Sequence, residues 1–216
     1  MAIDHDRIVE EALLLLNEVG IDKLSTRKLA DRLGVQQPAL YWHFKNKSAL
    51  LDALNSAMLA RFHTRRMPLP GEDWVDFTLA NARSMRTTLL AVRDGARLTA
   101  GTRPSEGDFA DTERQLKIFV DAGFSAEEAF AIAVSIARYV VGFVLEEQGE
   151  REREQIDGAS GGTGSALAEV APFPILSAAV HSMFAAGTIN TEPVFEAGLR
   201  FMVDGMQQNL QRKQAV

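Results

Sequence analysis

Between Lys23 and Lys47 the chain carries Lys23, Arg27, Lys28, Arg32, Lys45 and Lys47 against one anion, Asp31, a local net of +5. Thr26, Gln37, Tyr41 and His43 are interleaved with these cations. Guanidinium and ammonium groups take up phosphate oxygens, and arginine and glutamine can also meet base edges with paired hydrogen bonds. The 216-residue chain is net −6, so everything outside this stretch carries −11. A basic patch on an acidic chain points to a localised polyanion contact rather than to general stickiness. A charge run alone reads better as a solvated helix face. Its coincidence with side chains suited to base edges and phosphates favours duplex DNA.

Two short helices must position these groups. Ser25 suits the cap of the first, and Leu29, Ala30 and Leu33 fall on one face with Arg27, Lys28, Asp31 and Arg32 largely on the other. Gly34 suits a left-handed helix end, and Pro38 suits the first turn of the next helix, where its missing N–H costs nothing. This is a helix-turn-helix pattern. Leu40 and Trp42 read as packing residues.

The rest of the chain also reads as helix. A first helix is expected over about 5–19 and a fourth after Asn46, with Leu50, Leu54, Met58 and Phe62 at core spacing. Met67–Gly71, with two prolines and a glycine, breaks the chain. Further helices are expected over about 72–93, just before Gly101–Pro104, over about 106–122, and from the capping box at Ser125–Glu128. That last helix should dissolve at EEQGEREREQ into a glycine- and serine-rich mobile loop, about 152–166. Helices near 174–184 and 192–211 follow, the latter with Phe195, Leu199, Met202, Met206 and Leu210 as an apolar stripe. The expected organisation is all-α: a head over 1–47, a connecting helix over 47–65 and a body over 66–216.

Composition narrows the function further. The chain has no cysteine, so disulfides and thiolate metal sites are excluded. Its four histidines show no metal-ligand spacing. Asp4, Asp6, Glu10 and Glu11 near the start are unlike a positively charged signal peptide. No apolar stretch is expected to reach the ~20 residues that span a bilayer. A cytoplasmic protein without membrane contact follows from that reading.

Gly20–Ala30 together with Gln37–Lys47 resembles the DNA-binding domain of the tetracycline repressor family. Arg93–Arg97, Gly101–Pro104 and Gly142–Glu146 resemble that family's ligand domain. The likeness covers about 5–150 and thereafter rests on helix order. It implies an all-helical homodimer without enzymatic activity that binds operator DNA and is released by a small-molecule inducer. The long helix at 125–150 and the stripe at 192–211 could build a four-helix bundle across a two-fold axis.

Residue by residue, the resemblance makes Arg27 and Gln37 base readers. Pro38 would meet a thymine methyl, and Thr26, Tyr41, His43 and Lys47 would hold phosphates. Ala39 lacks the hydroxyl of a threonine, so the operator need not match that of other members. The implied ligand-binding residues are His63, Asn81, Met85, Thr99, Thr102, Arg103, Pro104, Thr112, Gln115, Leu116 and Phe130, with Glu146 as a metal ligand. No cofactor of the protein itself is expected. Magnesium could arrive with the ligand, but Thr99 stands where a metal-binding histidine would, and Arg138 replaces a second histidine. A neutral hydroxyl and a nearby cation weaken a divalent site.

Two other readings keep the same head or discard it. One is a ligand-independent activator or architectural DNA binder. The other is a helical carrier or enzyme using Glu146 and Glu147 as acid and base. Adjacent helical residues point about 100° apart, which argues against that pair converging on one bond.

Overall fold

A computed structural model of the chain describes residues 4–102, 106–157, 168–185 and 188–215. Arg103 and Pro104, and the loop sequence from Gly158 onward, lie outside them.

Helix starts follow the sequence chemistry. Helix α1 (His5–Val19) opens on Asp4, whose carboxylate accepts from Arg7 N, and buries Ile8, Ala12, Leu15 and Leu16. Helix α2 (Thr26–Leu33) opens on Ser25, whose hydroxyl accepts from Lys28 N, and ends at left-handed Gly34, φ 68°. Helix α3 (Gln37–Tyr41) has proline in its first turn. Helix α4 (Lys47–Phe62) is capped by Asn46 through Ala49 N and buries Leu50, Leu54 and Met58. Helix α5 (Trp74–Leu90) starts after the proline break, on an Asp73 carboxylate accepting from Val75 N and Asp76 N.

Helices α6 (Gly95–Ala100), α7 (Glu106–Ala122) and α8 (Ala126–Asp157) complete the main body. The capping box forms at the start of α8: Ser125 N donates to the Glu128 carboxylate at 2.8 Å, and Glu128 N donates to the Ser125 hydroxyl at 3.2 Å. An aromatic cluster packs α5 against α7, with Trp74 edge-on to Phe124, ring centroids 5.2 Å apart. Helices α9 (Pro174–Met183) and α10 (Glu192–Gln214) flank a hairpin of two-residue strands, β1 (Phe184–Ala185) and β2 (Thr188–Ile189), with Phe184 opposite Ile189. Among the described residues the all-helical expectation therefore holds apart from the two short strands.

Two expectations are corrected. Helix α8 does not dissolve at EEQGE but runs to Asp157. Glu, Gln and Arg are strong helix formers, and Glu147 and Glu150 stand four and three residues before Arg151 and Arg153, spacings that suit helical ion pairs. Residues 152–157 are therefore helical rather than part of the expected loop. Also, the segment Ala126–Arg153 is long and apolar enough by length and composition to cross a membrane, contrary to the expectation that no such stretch exists. The misreading came from its scattered charges, few within any one 18-residue window.

The chain divides into two compact units, Met1–Leu145 and Glu146–Val216. The division falls inside α8 and not near 66, so the head, its connecting helix and α5–α7 form one unit.

Candidate DNA-reading head and ligand cavity

The recognition surface rests on α1, which packs against both α2 and α4, with α3 packed on α2. Leu16, Leu24, Leu29, Leu40 and Leu54 are almost wholly buried beneath it. Arg27, Lys28, Pro38, Tyr41, His43 and Lys47 are exposed, while Thr26, Gln37 and Ala39 are half-buried. Gln37 is fixed before any DNA arrives: its amide nitrogen donates to Thr26 Oγ1 at 2.8 Å and to the Tyr41 hydroxyl at 3.3 Å. Lys47 Nζ donates to Ile21 O at 3.3 Å, so this cation also braces the turn before α2. Leu40 packs as expected, but Trp42 does not, being 90% exposed. It caps a five-residue helix that is too short to turn its last side chain inward.

A second cluster ties this head to the body within the same unit. Asp94, held in a left-handed conformation at φ 58°, accepts from Ile21 N at 2.8 Å. Arg97 forks onto Asp22 at 2.8 and 3.0 Å, which holds the Asp22 carboxyl below its ordinary range and raises the guanidinium. Arg93 N donates to Asn17 Oδ1 at 2.8 Å. The chain must turn tightly here, because a Cβ at Gly95 would sit 2.3 Å from Leu89 O. The sequence marks Arg93–Arg97 only as resembling the ligand domain, and not as the joint to the head. Its polar spacing carries no sign of a partner more than 70 residues away.

Above this joint lies a cavity of about 320 Å³ between α4, α5, α6, α7 and α8. His63, Asn81, Met85, Thr99, Thr102, Thr112 and Gln115 line it, seven of the expected ligand residues. Leu116 and Phe130 do not join them: Leu116 is half-buried on α7 outside the lining, and Phe130 is 56% exposed on α8. The resemblance implies both, but helix rotation puts Ile136, Ala137 and Val140 on the cavity side of α8 instead. Glu146 is exposed on α8, and among the described residues no group of three or more His, Asp or Glu side chains is placed to hold a metal ion.

The cavity wall is polar on one side and apolar on the other. The Thr99 hydroxyl donates to Asn55 Oδ1 at 2.7 Å, joining α6 to α4. Asn81 donates to Arg65 O at 3.0 Å, and Gln115 donates to Arg66 O at 2.8 Å, so both amides clamp the chain just after α4. His63 pairs with Ser84 Oγ at 2.8 Å through Nδ1. Burial, and then the Arg66 charge, lower its pKa to about 4, so the ring is neutral at pH 7. Asn55, Arg66, Asp108 and Asp111 were missed in the sequence. Asp108, Asp111, Thr112 and Gln115 recur at spacings of three, one and three, a polar helix face that could have marked them.

Comparison with known proteins agrees with both regions. Residues 8–54 match the model for bacterial regulatory proteins of the tetR family, and residues 67–210 match the tetracyclin repressor-like C-terminal domain. The chain is 48% identical over 204 residues to the class A tetracycline repressor protein from transposon 1721 of Escherichia coli, covering 94% of this chain and 90% of that one. Its fold matches class A TetR in complex with 5a,6-anhydrotetracycline and magnesium, with TM-score 0.73 and 39% identity over 95% of this chain and 99% of that one. It also matches a variant of TetR from Acinetobacter baumannii AYE in complex with minocycline, with TM-score 0.77 and 40% identity over 96% and 98%. The chain belongs to the tetracycline repressor family of bacterial transcriptional regulators, which are not enzymes.

Proposed function

We propose that this chain is a repressor that grips operator DNA as a homodimer and lets go when an oxygen-rich, antibiotic-like or polyketide molecule fills the cavity. The observation that carries this reading is that one helix serves both sites. Lys47 stands at the exposed start of α4, while Asn55 and Leu59 of the same helix, with His63 just beyond it, line the cavity. At 1.5 Å per residue the helix is about 24 Å long, so a tilt of about 5° at the cavity moves the head end by about 2 Å. A ligand acts in this way only by favouring the non-reading geometry, with typical coupling of ~1–3 kcal/mol.

Arg27 and Gln37 read bases in this scheme, with Pro38 and Ala39 beside them. Thr26, Tyr41, His43 and Lys47 hold phosphates. Arg103 and Pro104 extend the cavity set from sequence likeness alone. The head supports DNA binding by its exposed cations, and two-fold pairing would place two recognition helices in successive major grooves ~34–36 Å apart. Support for the dimer comes from apolar side chains that one chain leaves in water. Only 28% of the apolar window in Ala126–Arg153 is buried, and Phe201 on α10 is 75% exposed. Covering such a face removes it from water at about 25 cal/mol per Å².

The test uses a labelled duplex from the DNA flanking the protein's own gene. Fluorescence anisotropy should show binding that weakens steeply with salt, and light scattering should show a dimer. Minocycline or 5a,6-anhydrotetracycline should release the duplex. A monomer without salt-sensitive binding to that duplex overturns the reading.

A further inference from the structure

We infer that Arg32, one of the cations of the reading head, is a positioning residue and not a phosphate contact. By bridging Glu11 and Glu18 it sets the tilt of α2 on α1, and with it the aim of α3 at the bases. The inference rests on the reading of the head as an operator binder.

The bridge has a defined geometry. Arg32 Nε donates to Glu11 Oε2 at 2.8 Å, and Nη1 donates to the two oxygens of Glu18 at 2.8 and 2.7 Å. Glu11 and Glu18 stand seven residues apart on α1. Seven residues are close to two turns, so the pair shares one helix face at about 10 Å along the axis. The Nε–H and Nη1–H of a guanidinium point apart, so one planar group can span two separate carboxylates. A lysine ammonium is a single point charge without that fixed span. The Arg32 side chain is only 29% exposed, and Glu11 is 32% exposed. By contrast, Arg27 and Lys28 are exposed and make no ion pair among the described residues. Arg27 stands five residues before Arg32, which puts the two about 140° apart around α2.

The bridge holds the end of α2 that matters for reading. Leu29 and Ala30 bury the apolar side of α2. Apolar burial resists separation but is non-directional, so it leaves small rotations and slides open. Charge-assisted hydrogen bonds to two points on α1 remove that freedom. Arg32 lies in the last turn of α2, next to Gly34 and five residues before Gln37, and α3 packs on α2. Affinity for DNA of any sequence comes from phosphate contacts, whereas choice of sequence needs the base readers in register. Losing the bridge should therefore weaken operator binding and spare non-specific binding.

The test is fluorescence anisotropy of the full-length protein on the labelled duplex flanking its own gene and on a scrambled duplex of equal length, over a range of salt. Wild type, Arg32→Ala, Arg32→Lys and the double variant Glu11→Gln/Glu18→Gln are compared, with thermal melts confirming that each is folded. Arg32→Ala should lose roughly three- to tenfold on the flanking duplex, with no loss on the scrambled one and an unchanged salt slope. Arg32→Lys should lose most of the same amount. The double glutamine variant should lose as much as Arg32→Ala, although it removes two negative charges from the head, and adding Arg32→Ala to it should change nothing further. Equal loss on both duplexes with a salt slope lower by about 1 per head would make Arg32 a phosphate contact and overturn the inference. Unchanged operator affinity in Arg32→Ala, or tighter binding in the double glutamine variant, overturns it too and leaves the operator reading standing. If wild type does not prefer the flanking duplex to the scrambled one, the operator reading itself falls, and the inference with it.

Discussion

The reading head and the cavity sit in one compact unit yet are built on opposite plans. In the head, the contacts that cap the short helices and set the recognition face are local: Ser25 to Lys28, Asn46 to Ala49, and Gln37 to Thr26 only 11 residues back, with Lys47 to Ile21 and Asp94 to Ile21 among the longer braces. In the cavity they are distant: His63 to Ser84 spans 21 residues, Arg66 to Asp108 spans 42, Asn55 to Thr99 spans 44 and Gln115 to Arg66 spans 49. The head presents its chemistry outward on short helices whose caps are legible one turn at a time. The cavity turns its polar groups inward, where each must find a partner or cost the free energy of an unmade bond. A surface that reads a polymer can be specified locally, whereas an interior that admits one molecule cannot.

That contrast can be broken first at the joint between the two regions. Gly95→Ala should place a Cβ against the Leu89 carbonyl and cost about 3 kcal/mol of stability, as an overpacked interior does. A thermal melt would show it, and operator affinity should fall as Asp94 and Arg97 lose their grip on Ile21 and Asp22. An unchanged melting temperature would mean that the turn gives way easily and that head and cavity are less firmly joined than their geometry indicates.

His63 sharpens the interior side. Its pKa falls from 6.5 unfolded to about 4 folded, so the unfolded chain binds more protons across that window. Stability should therefore be full above pH 6.5 and decline as pH falls towards 4, by on the order of 2–3 kcal/mol in all. Urea melts at pH 7 and 4.5 would measure the slope, and His63→Gln should flatten it. An equal slope in that variant would assign the loss to other groups.

Two substitutions in the head should separate base reading from phosphate holding. Arg27→Ala should cost ~1–3 kcal/mol at one base pair and relax discrimination there, measured against a set of single-base operator variants. Lys47→Ala should have the smallest effect, weakening all sequences alike and lowering the salt slope by about 1. If Lys47→Ala instead changed sequence preference, its bond to Ile21 O would be setting the head's register and not merely holding a phosphate.

The same contrast explains how much could be read in advance. Caps, breakers and the paired short helices were legible because each depends on residues within one turn. Trp42 was misread because an apolar ring suggests a core, and only the helix length reveals that it points outward. Leu116 and Phe130 do not line the cavity, since rotation about α7 and α8 is set by packing and not by motif position. Arg66 and Asp108 went unnoticed because a charged pair separated by 42 residues leaves no local pattern.

By itself the chain determined its helical class, its reading head and its family likeness, since these follow from short-range sterics, capping and charge. Which polar groups meet across the cavity, and which cation stands in its wall, was decided only when α4, α5, α6 and α7 came together. Burial then drove most inward polar groups to pair with whatever the fold had brought beside them.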